Sequence, residues 1–281
     1  MQARSSFAVA VVAVLTGLTV LTGLTGLAGC AADPPPAPVM PRAAGATRLR
    51  VLTYNVNFGV AGDPAGVAAI ASASPDIAML QETNDEWAAA LIAGLGARLP
   101  HHRFAPPQNE WVAGGMGMMS RWPILRIDTL AGGGGPFFAW RAVVDAPGGP
   151  IQIFNVHLRP PMSESGSWVV GYFSTRADRE REARSHITAL DPALPALAVG
   201  DFNEEDEGQA LAVFRAAGFR NVLPAFQPNA DTWQWPVGGV TLRFRLDHVL
   251  ADARFRPLGA AVVEAGRSDH APVWADLEYV P

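Results

Sequence analysis

The chain contains no lysine and only one cysteine, Cys30, among its 281 residues. A single cysteine excludes an intramolecular disulfide and argues against a structural zinc site. All basic residues are therefore arginines, and acidic residues outnumber them by 26 to 21. This balance disfavours a protein that coats duplex DNA, because such binding depends largely on clustered cations. A nuclease is not excluded, since a metal ion can supply positive charge locally.

Charge is also scarce in the first thirty residues, where Arg4 is followed by a long apolar run that ends in Leu-Ala-Gly-Cys30. This order predicts a secretory signal over residues 1–29. The cysteine after Leu-Ala-Gly resembles the lipobox of bacterial lipoproteins, in which it becomes the lipidated first residue. The alternative is an uncleaved anchor helix, because the run is about long enough to span a bilayer. Both interpretations predict an extracytoplasmic protein attached to a bacterial membrane.

The rest of the chain divides into a tether and one domain. Residues 30–47 are rich in Pro and Ala and lack hydrophobic periodicity, which predicts a semi-extended tether. Residues 48–281 contain short apolar runs bounded by Gly, Pro and Asp, which predict strands. The predicted strands are 49–56, 76–81, 116–120, 124–130, 137–145, 151–158, 196–200, 246–251, 255–263 and 272–279. The predicted helices are 64–73, 84–98, 174–190 and 206–217. This pattern favours an α/β fold in which two sheets face each other and helices cover their outer faces.

Polar side chains stand at the ends of several predicted strands. The set comprises Asn55, Glu82, His157, Asp201, Asn203, Asp247, Asp269 and His270. Polar and ionisable groups are costly to bury unless they are paired, so this repetition predicts one shared pocket at an edge of the sandwich. Carboxylate and amide oxygens suit Mg²⁺ or Mn²⁺, and histidines beside acids can transfer protons. Together these groups indicate hydrolysis of a phosphate ester by an in-line water.

The same residues lie in seven short motifs, which read TYNVN, LQE, GMGMMSRWPI, FNVHL, GDFN, RLDHVL and SDHAPVWADL. In order and rough spacing, these motifs resemble the endonuclease/exonuclease/phosphatase superfamily over about residues 48–280. The resemblance implies the DNase I-like fold, a four-layer α/β/β/α sandwich of two mixed sheets packed face to face. His157 in FNVHL is similar to the histidine of the DNase and sphingomyelinase branch.

The resemblance implies a metal site that would hold Mg²⁺, with Mn²⁺ as the alternative. Glu82 is similar to the main metal carboxylate, with Asn55 beside it. Asp269 is similar to an additional metal or water ligand. Asn57 stands where many relatives have an aspartate, which removes one charge and weakens a second metal site.

The resemblance also implies the catalytic roles. Asp201 and Asn203 are similar to the pair that orients or deprotonates the attacking water and holds the phosphate. His270, oriented by Asp247, is similar to the histidine that contacts the scissile phosphate. His157 is similar to the acid that protonates the leaving oxygen, and Glu110 is a candidate to orient it.

We expect a monomeric phosphodiesterase of nuclease type, which acts on a phosphoester such as nucleic acid. Sphingomyelinase-like or phosphomonoesterase action is the alternative. Four aromatic residues in predicted loops could stack bases, enter a lipid interface or cover the core. They are Trp168, Phe173, Trp233 and Trp235.

The rival class is a lipid-anchored binding protein with this fold and no catalysis, which only Asn57 favours. In the predicted helix 174–190, the i,i+4 spacing of arginine and glutamate predicts a solvated face. Arg179 in that helix is a candidate phosphate contact.

Overall fold

The computed structural model describes residues 45–162 and 168–279, and side chains at 168–169 are not described. The predicted signal, Cys30 and the tether up to residue 44 lie outside the described residues. Within the described ranges, no helix combines the length and apolar character needed to cross a membrane.

The described ranges contain fourteen strands and five α-helices. The strands are β1 (Thr47–Asn55), β2 (Ile77–Gln81), β3 (His101–Ala105), β4 (Met116–Ser120), β5 (Ile124–Leu130), β6 (Ala139–Ala146), β7 (Gly149–His157), β8 (Ala196–Asp201), β9 (Arg220–Asn221), β10 (Trp233–Val237), β11 (Val240–Phe244), β12 (Asp247–Ala251), β13 (Phe255–Val262) and β14 (Val273–Tyr279). The helices are α1 (Pro64–Ala73), α2 (Asp85–Leu95), α3 (Trp168–Ser174), α4 (Arg176–Ile187) and α5 (Gln209–Ala216).

Two six-stranded sheets form the centre of the fold. Their strand orders are β13-β14-β1-β2-β4-β3 and β5-β6-β7-β8-β12-β9. The strands β10 and β11 form a separate hairpin, which meets His270 through an isolated bridge at Trp233. The pairs β1–β2 and β7–β8 are parallel and the other pairs are antiparallel, so both sheets are mixed. One apolar cluster contains residues of both sheets, and a separate cluster joins each sheet to its helices. The predicted α/β/β/α sandwich is confirmed.

The inward-facing side chains change from apolar to polar along the strands that reach the site. Successive side chains of a strand point to opposite faces, so Val51 of β1 and Val199 of β8 lie in the core between the sheets. Asn55 and Asp201 are the last residues of these strands, and each is on the same face of its strand as the core valine. The Asn55 amide donates a hydrogen bond of 3.0 Å to Asp201. Two strands that lie far apart in the sequence are thus joined by polar groups where the apolar core ends.

The predicted helix starts are confirmed for α1 and α2. Asp63 accepts hydrogen bonds from Ala65 and Gly66 at the start of α1, with Pro64 at its first position. Asn84 caps α2 in the same way. Asp63 also accepts from the main-chain N–H of Arg267 at 2.8 Å. This cap therefore holds the loop that carries Asp269 and His270.

Every predicted strand lies within two residues of its observed bounds. The strands β3, β9, β10 and β11 were not predicted, and two loop predictions are wrong. The helix predicted over 174–190 begins at Arg176 and follows a separate helix, α3, which contains Trp168 and Phe173. Trp233 and Trp235 lie in β10 of a hairpin and not in a loop. The sequence pattern did not predict this strand because it contains Pro236, and proline within an apolar run normally indicates an edge strand or a loop.

Candidate active site

The eight predicted site residues meet at one end of the sandwich. The register pairs Asn55 with Gln81 at the ends of the parallel strands β1 and β2, and His157 with Asp201 at the ends of β7 and β8. Asp247 lies opposite Asp201 on β12. Six of the eight are buried, namely Asn55, His157, Asp201, Asn203, Asp247 and His270. Glu82 and Asp269 are partly exposed.

Asp201 is at the centre of the cluster. Its Oδ2 accepts a hydrogen bond of 3.0 Å from Asn55 and lies 3.6 Å from Nε2 of both His157 and His270. Its Oδ1 accepts from the main-chain N–H of Asn203 at 2.9 Å. Burial raises the pKa of Asp201, although the charge of His270 opposes this. The carboxylate is therefore a stronger base than an exposed aspartate.

His270 and Asp247 form a buried pair, with 2.8 Å between His270 Nδ1 and Asp247 Oδ2. Burial alone would lower the pKa of His270, but the charges of Asp247 and Asp201 outweigh it and raise the pKa to about 10. His270 is therefore an imidazolium at neutral pH. Thr232 holds the main chain at Asp247, because its Oγ1 accepts hydrogen bonds of 2.9 Å from the N–H groups of Leu246 and Asp247.

His157 is enclosed differently. Its ring stacks on Phe137 with 4.1 Å between centroids, and burial lowers its pKa to about 3. Nδ1 makes no hydrogen bond of normal geometry, although the main chain of Ala113 is near enough to raise the pKa slightly. Glu110 does not hydrogen-bond this nitrogen, so its predicted orienting role is not seen.

Glu82 and Asn55 form the opposite side of the cluster. The Asn55 amide nitrogen bridges Glu82 Oε1 and Asp201 Oδ2, each at 3.0 Å, and its oxygen accepts from the N–H of Asn57 at 3.1 Å. Burial raises the pKa of Glu82. Asn55 therefore presents its nitrogen to the carboxylates and would ligate a cation only with its amide turned over.

The donor set suits a divalent cation. Asp201 and Asp247 place carboxylate oxygens within 4.8 Å of each other and of a His270 nitrogen, and buried Oδ1 of Asp247 has no hydrogen-bond partner. As an imidazolium, His270 contributes charge to this cluster and not a ligand atom. Glu82 Oε1 lies 4.0 Å from His157 Nε2. Several carboxylates face one protonated histidine, and their oxygens are the ligands that hard cations prefer. These residues fit the Mg²⁺ or Mn²⁺ that the sequence predicts.

Asp269 is held by two neutral donors. Its Oδ1 accepts from the Asn57 side chain at 2.7 Å, and its Oδ2 accepts from the indole N–H of Trp233 at 3.0 Å. The Asn57 amide thus donates a hydrogen bond to Asp269. An aspartate at position 57 would instead place a second negative charge beside the Asp269 carboxylate. The role of Asp269 as a ligand stays a prediction.

Three site residues have strained backbones. Asn57, Glu82 and Asn203 have φ angles of 57°, 59° and 51°, and each follows a strand that reaches the site. Such conformations of residues other than glycine cost about 1–3 kcal/mol and cluster at functional sites. Gly200, just before Asp201, has a φ of 142°, and a Cβ there would lie 1.9 Å from the Val156 carbonyl oxygen. Only glycine therefore allows β8 to approach β7 this closely.

Arg179 does not reach the site, so its predicted phosphate contact is wrong. It is fully buried, and its Nε donates to Glu204 Oε1 at 2.9 Å. Glu204 also accepts from the N–H of Ala210 with Oε2, and His248 Nε2 lies 2.8 Å from its main-chain carbonyl. Arg179 and His248 thus anchor the segment that follows Asn203.

Sequence reasoning did not select Phe137, Thr232 or Trp233 as site residues. No sequence signal distinguishes a phenylalanine in an apolar run or a single threonine before a strand. Trp233 was one of four aromatic residues with no assigned role, and its contact with Asp269 depends on a hairpin that the sequence did not predict.

The comparisons with known proteins agree with this architecture. No curated protein matches the chain. A structure from Beutenbergia cavernae, described as endonuclease/exonuclease/phosphatase, is 20% identical with a TM-score of 0.61 and covers 83% of this chain and 72% of its own. D. rerio TDP2 complexed with single strand DNA product is 19% identical with a TM-score of 0.61, over 82% of this chain and 99% of its own. The human Nocturnin catalytic domain with bound sulfate anion is 16% identical with a TM-score of 0.63, over 83% and 93%.

Similarity at these identities shows the fold alone. The sequence profile described as Endonuclease/Exonuclease/phosphatase family matches residues 52–270, most of the chain. The matched range contains every residue of the buried acidic and histidine cluster. The chain therefore belongs to the endonuclease/exonuclease/phosphatase family.

Proposed function

We propose that this protein is a metal-dependent phosphodiesterase that cleaves its substrate by in-line attack of water. The observation that carries the proposal is the position of Asp201, whose Oδ2 lies 3.6 Å from Nε2 of two histidines with opposite pKa shifts. Groups whose environments drive their pKa values apart are typical of acid–base sites.

His270 supplies a fixed positive charge. Because Asp247 keeps its imidazole protonated and oriented, Nε2 can donate a hydrogen bond to a phosphate oxygen. Charge that develops on that oxygen in the transition state is then stabilised without any rearrangement. A cation with a pKa near 10 is a poor proton donor at neutral pH, so His270 serves as an electrostatic group.

Asp201 and Asn203 deprotonate and orient the attacking water. Because burial raises its pKa, the Asp201 carboxylate can accept the proton that water loses. Asn203 lies beside it, and its Nδ2 donates to the Leu158 carbonyl at 2.9 Å. This bond fixes the side chain, so its amide oxygen can orient the water or its neighbours.

His157 is the candidate acid for the leaving oxygen. In this structure it is neutral, because burial disfavours its charged form. A phosphate anion bound beside its Nε2 would raise its pKa, as any nearby negative charge does. Glu82, with Asn55 if its amide turns over, would hold Mg²⁺ or Mn²⁺. The metal would polarise the phosphoryl oxygens and neutralise their charge.

The substrate proposal is a nuclease-type phosphodiester, with a lipid phosphodiester as the second candidate. One observation favours the second candidate, namely the concentration of exposed apolar side chains around the site. Phosphomonoesterase action and a non-catalytic binding role are the remaining alternatives.

The test is hydrolysis of bis-p-nitrophenyl phosphate by the purified chain with Mg²⁺, Mn²⁺ or EDTA. We expect turnover that EDTA abolishes and Mg²⁺ restores. A parallel panel of plasmid DNA, RNA, sphingomyelin and p-nitrophenyl phosphate separates the substrate candidates. Absence of metal-dependent turnover on every substrate would refute catalysis and favour the binding role.

We further propose that lipidated Cys30 anchors the protein outside the cytoplasm. The order of residues 1–30 supports this proposal. Cys30→Ser should then release the protein from the membrane fraction and leave its activity unchanged. Continued sedimentation with membranes would instead favour the uncleaved anchor helix.

A further inference from the structure

Four segments near the site share an unusual composition. Their sequences are FGVAG at 58–62, WVAGG at 111–115, WVVGYFS at 168–174 and WPVGGV at 235–240. None contains a charged residue, although 17% of the chain is charged. Each combines an aromatic residue with valine and glycine. We call these four segments the apolar rim.

Two segments of the apolar rim adjoin the side of the site that contains Glu82 and His157. The main-chain N–H of Phe58 lies 3.3 Å from Glu82 Oε2. Trp111 packs edge-on against Phe137 at 6.0 Å, and Phe137 stacks on His157 at 4.1 Å. The first segment therefore contacts the candidate metal ligand Glu82 directly, and the second reaches the candidate acid His157 through Phe137.

The other two segments adjoin the side that contains Asp269. Trp235 lies parallel to Trp233 with 6.3 Å between centroids, and Trp233 donates to Asp269. Tyr172 of α3 stacks on Phe244 at 6.3 Å, and Phe244 stacks on Trp233 at 6.0 Å. The apolar rim thus borders the site on both sides.

Exposed apolar side chains are concentrated in the apolar rim. Of the eleven large apolar residues exposed in the described ranges, eight belong to it. They are Phe58, Trp111, Val112, Val170, Phe173, Trp235, Val237 and Val240. Phe173 and Val240 are each 63% exposed and Val112 is 60% exposed. Concentrated apolar exposure indicates an interaction surface.

We propose that the apolar rim docks the mouth of the site onto the surface of a lipid bilayer. Tryptophan and tyrosine favour such interfaces, because their rings have an apolar body and a polar tip. The four segments contain no arginine themselves. Arg176, whose guanidinium lies 4.8 Å from the centre of the Phe173 ring, and Arg243, opposite Gln234 in the hairpin, adjoin them. Nucleic acid binding depends on larger clusters of cations. Because acidic residues also exceed basic ones in the chain, the surface suits zwitterionic lipid better than anionic lipid.

The predicted anchor agrees with this orientation. Lipidation of Cys30 would attach the chain to a membrane, which is the surface that the apolar rim would contact.

This inference rests on the proposed function and assigns it a substrate class, phosphodiesters presented at a lipid–water interface. A site that opens onto the bilayer surface would reach a lipid headgroup without removing the lipid from the membrane.

The first experiment measures contact with the bilayer. The full chain is reconstituted in phosphatidylcholine vesicles with brominated acyl chains, which quench tryptophan fluorescence. We expect the quenched fraction to fall by about half or more in Trp111→Phe/Trp235→Phe. Trp122→Phe is the matched control, because Trp122 follows Ser120, which pairs with Ile77 at the end of β2 opposite to the site. An unchanged quenched fraction in the double variant would overturn the proposal, whether or not the protein is catalytic.

The second experiment measures turnover in Val112→Asp/Val240→Asp. We expect at least a roughly tenfold loss of phosphocholine release from phosphatidylcholine and sphingomyelin vesicles, because two exposed apolar contacts are lost and charge is added. Hydrolysis of soluble bis-p-nitrophenyl phosphate should not change. Leu125→Asp is the control, because Leu125 is exposed on β5 outside the apolar rim.

The outcomes separate the two proposals. Failure of the wild-type chain to hydrolyse any substrate refutes the proposed function, while quenching still tests docking. Soluble turnover without vesicle turnover refutes the lipid substrate class. A selective loss of single-stranded DNA hydrolysis in the double aspartate variant would identify the apolar rim as a nucleic acid platform and overturn docking.

Discussion

Glu182 should make the stability of the fold depend on pH, and Glu182→Gln should remove that dependence. The carboxyl group is buried on α4, where its Oε2 accepts from the N–H of Arg159 at 2.9 Å and its Oε1 has no partner. Burial raises its pKa from 4.5 to about 8. Folding therefore favours the neutral acid, so this stabilisation is complete below about pH 4.5 and is lost as pH rises through about 8.

The magnitude follows from the difference between the two pKa values. Each pKa unit corresponds to about 1.4 kcal/mol, so the loss between these limits is roughly 5 kcal/mol. The amide introduced by Glu182→Gln keeps the acceptor for Arg159 but cannot ionise. We therefore expect the variant to exceed the wild type in free energy of unfolding by several kcal/mol above about pH 8.

The assay is urea unfolding followed by tryptophan fluorescence at pH values of about 5, 7 and 9. Glu180→Gln is the matched control, because Glu180 lies on the exposed face of the same helix and pairs with Arg184. This control should keep the pH dependence of the wild type. Parallel pH profiles for Glu182→Gln and the wild type would refute the reasoning.

Three further predictions concern the site and its support. His270→Ala should lower kcat by roughly 10² without changing the circular dichroism spectrum; an unfolded variant would contradict a purely catalytic role. Arg179→Met should leave Glu204 buried without its cation and lower the free energy of unfolding by about 3–5 kcal/mol in urea, whereas no measurable loss would show that the pair is dispensable. Asn57→Asp places a second carboxylate beside Asp269, so calorimetric titration with Mn²⁺ should show tighter or additional binding; an unchanged isotherm would argue against a second cation position there.

The helix α4 shows where sequence reasoning failed. Arg179, Glu182, Ala183 and His186 form its buried face, with the spacing of an apolar stripe. Three of the four are ionisable, so a hydrophobic pattern cannot identify this face as buried. The exposed pair between Glu180 and Arg184 was predicted correctly, but the same charge pattern concealed the ion pair between Arg179 and Glu204.

Ten of the fourteen strands in the described ranges were predictable, because an apolar run between turn formers is a local pattern. Apolar runs of five to nine residues bounded by turn formers identify both sheets. The hairpin β10–β11 was not, because β10 contains Pro236 and both strands are largely exposed. Its position against Asp269 depends on main-chain contacts between distant segments, because the Gln234 N–H donates to the Asp269 carbonyl at 2.9 Å and Trp233 forms an isolated bridge with His270.

The amino-acid sequence by itself determined which chemical groups stand at the ends of the strands, and hence the family and the chemistry they suit. Tertiary structure alone decided that Asp201 lies between two histidines whose pKa values shift in opposite directions, and that Asn57 bonds Asp269. Distances and pKa values depend on burial and on charges brought together from residues as far apart as Asn55 and Asp201. That proximity arises from the packing of one sheet on the other, which no local pattern encodes.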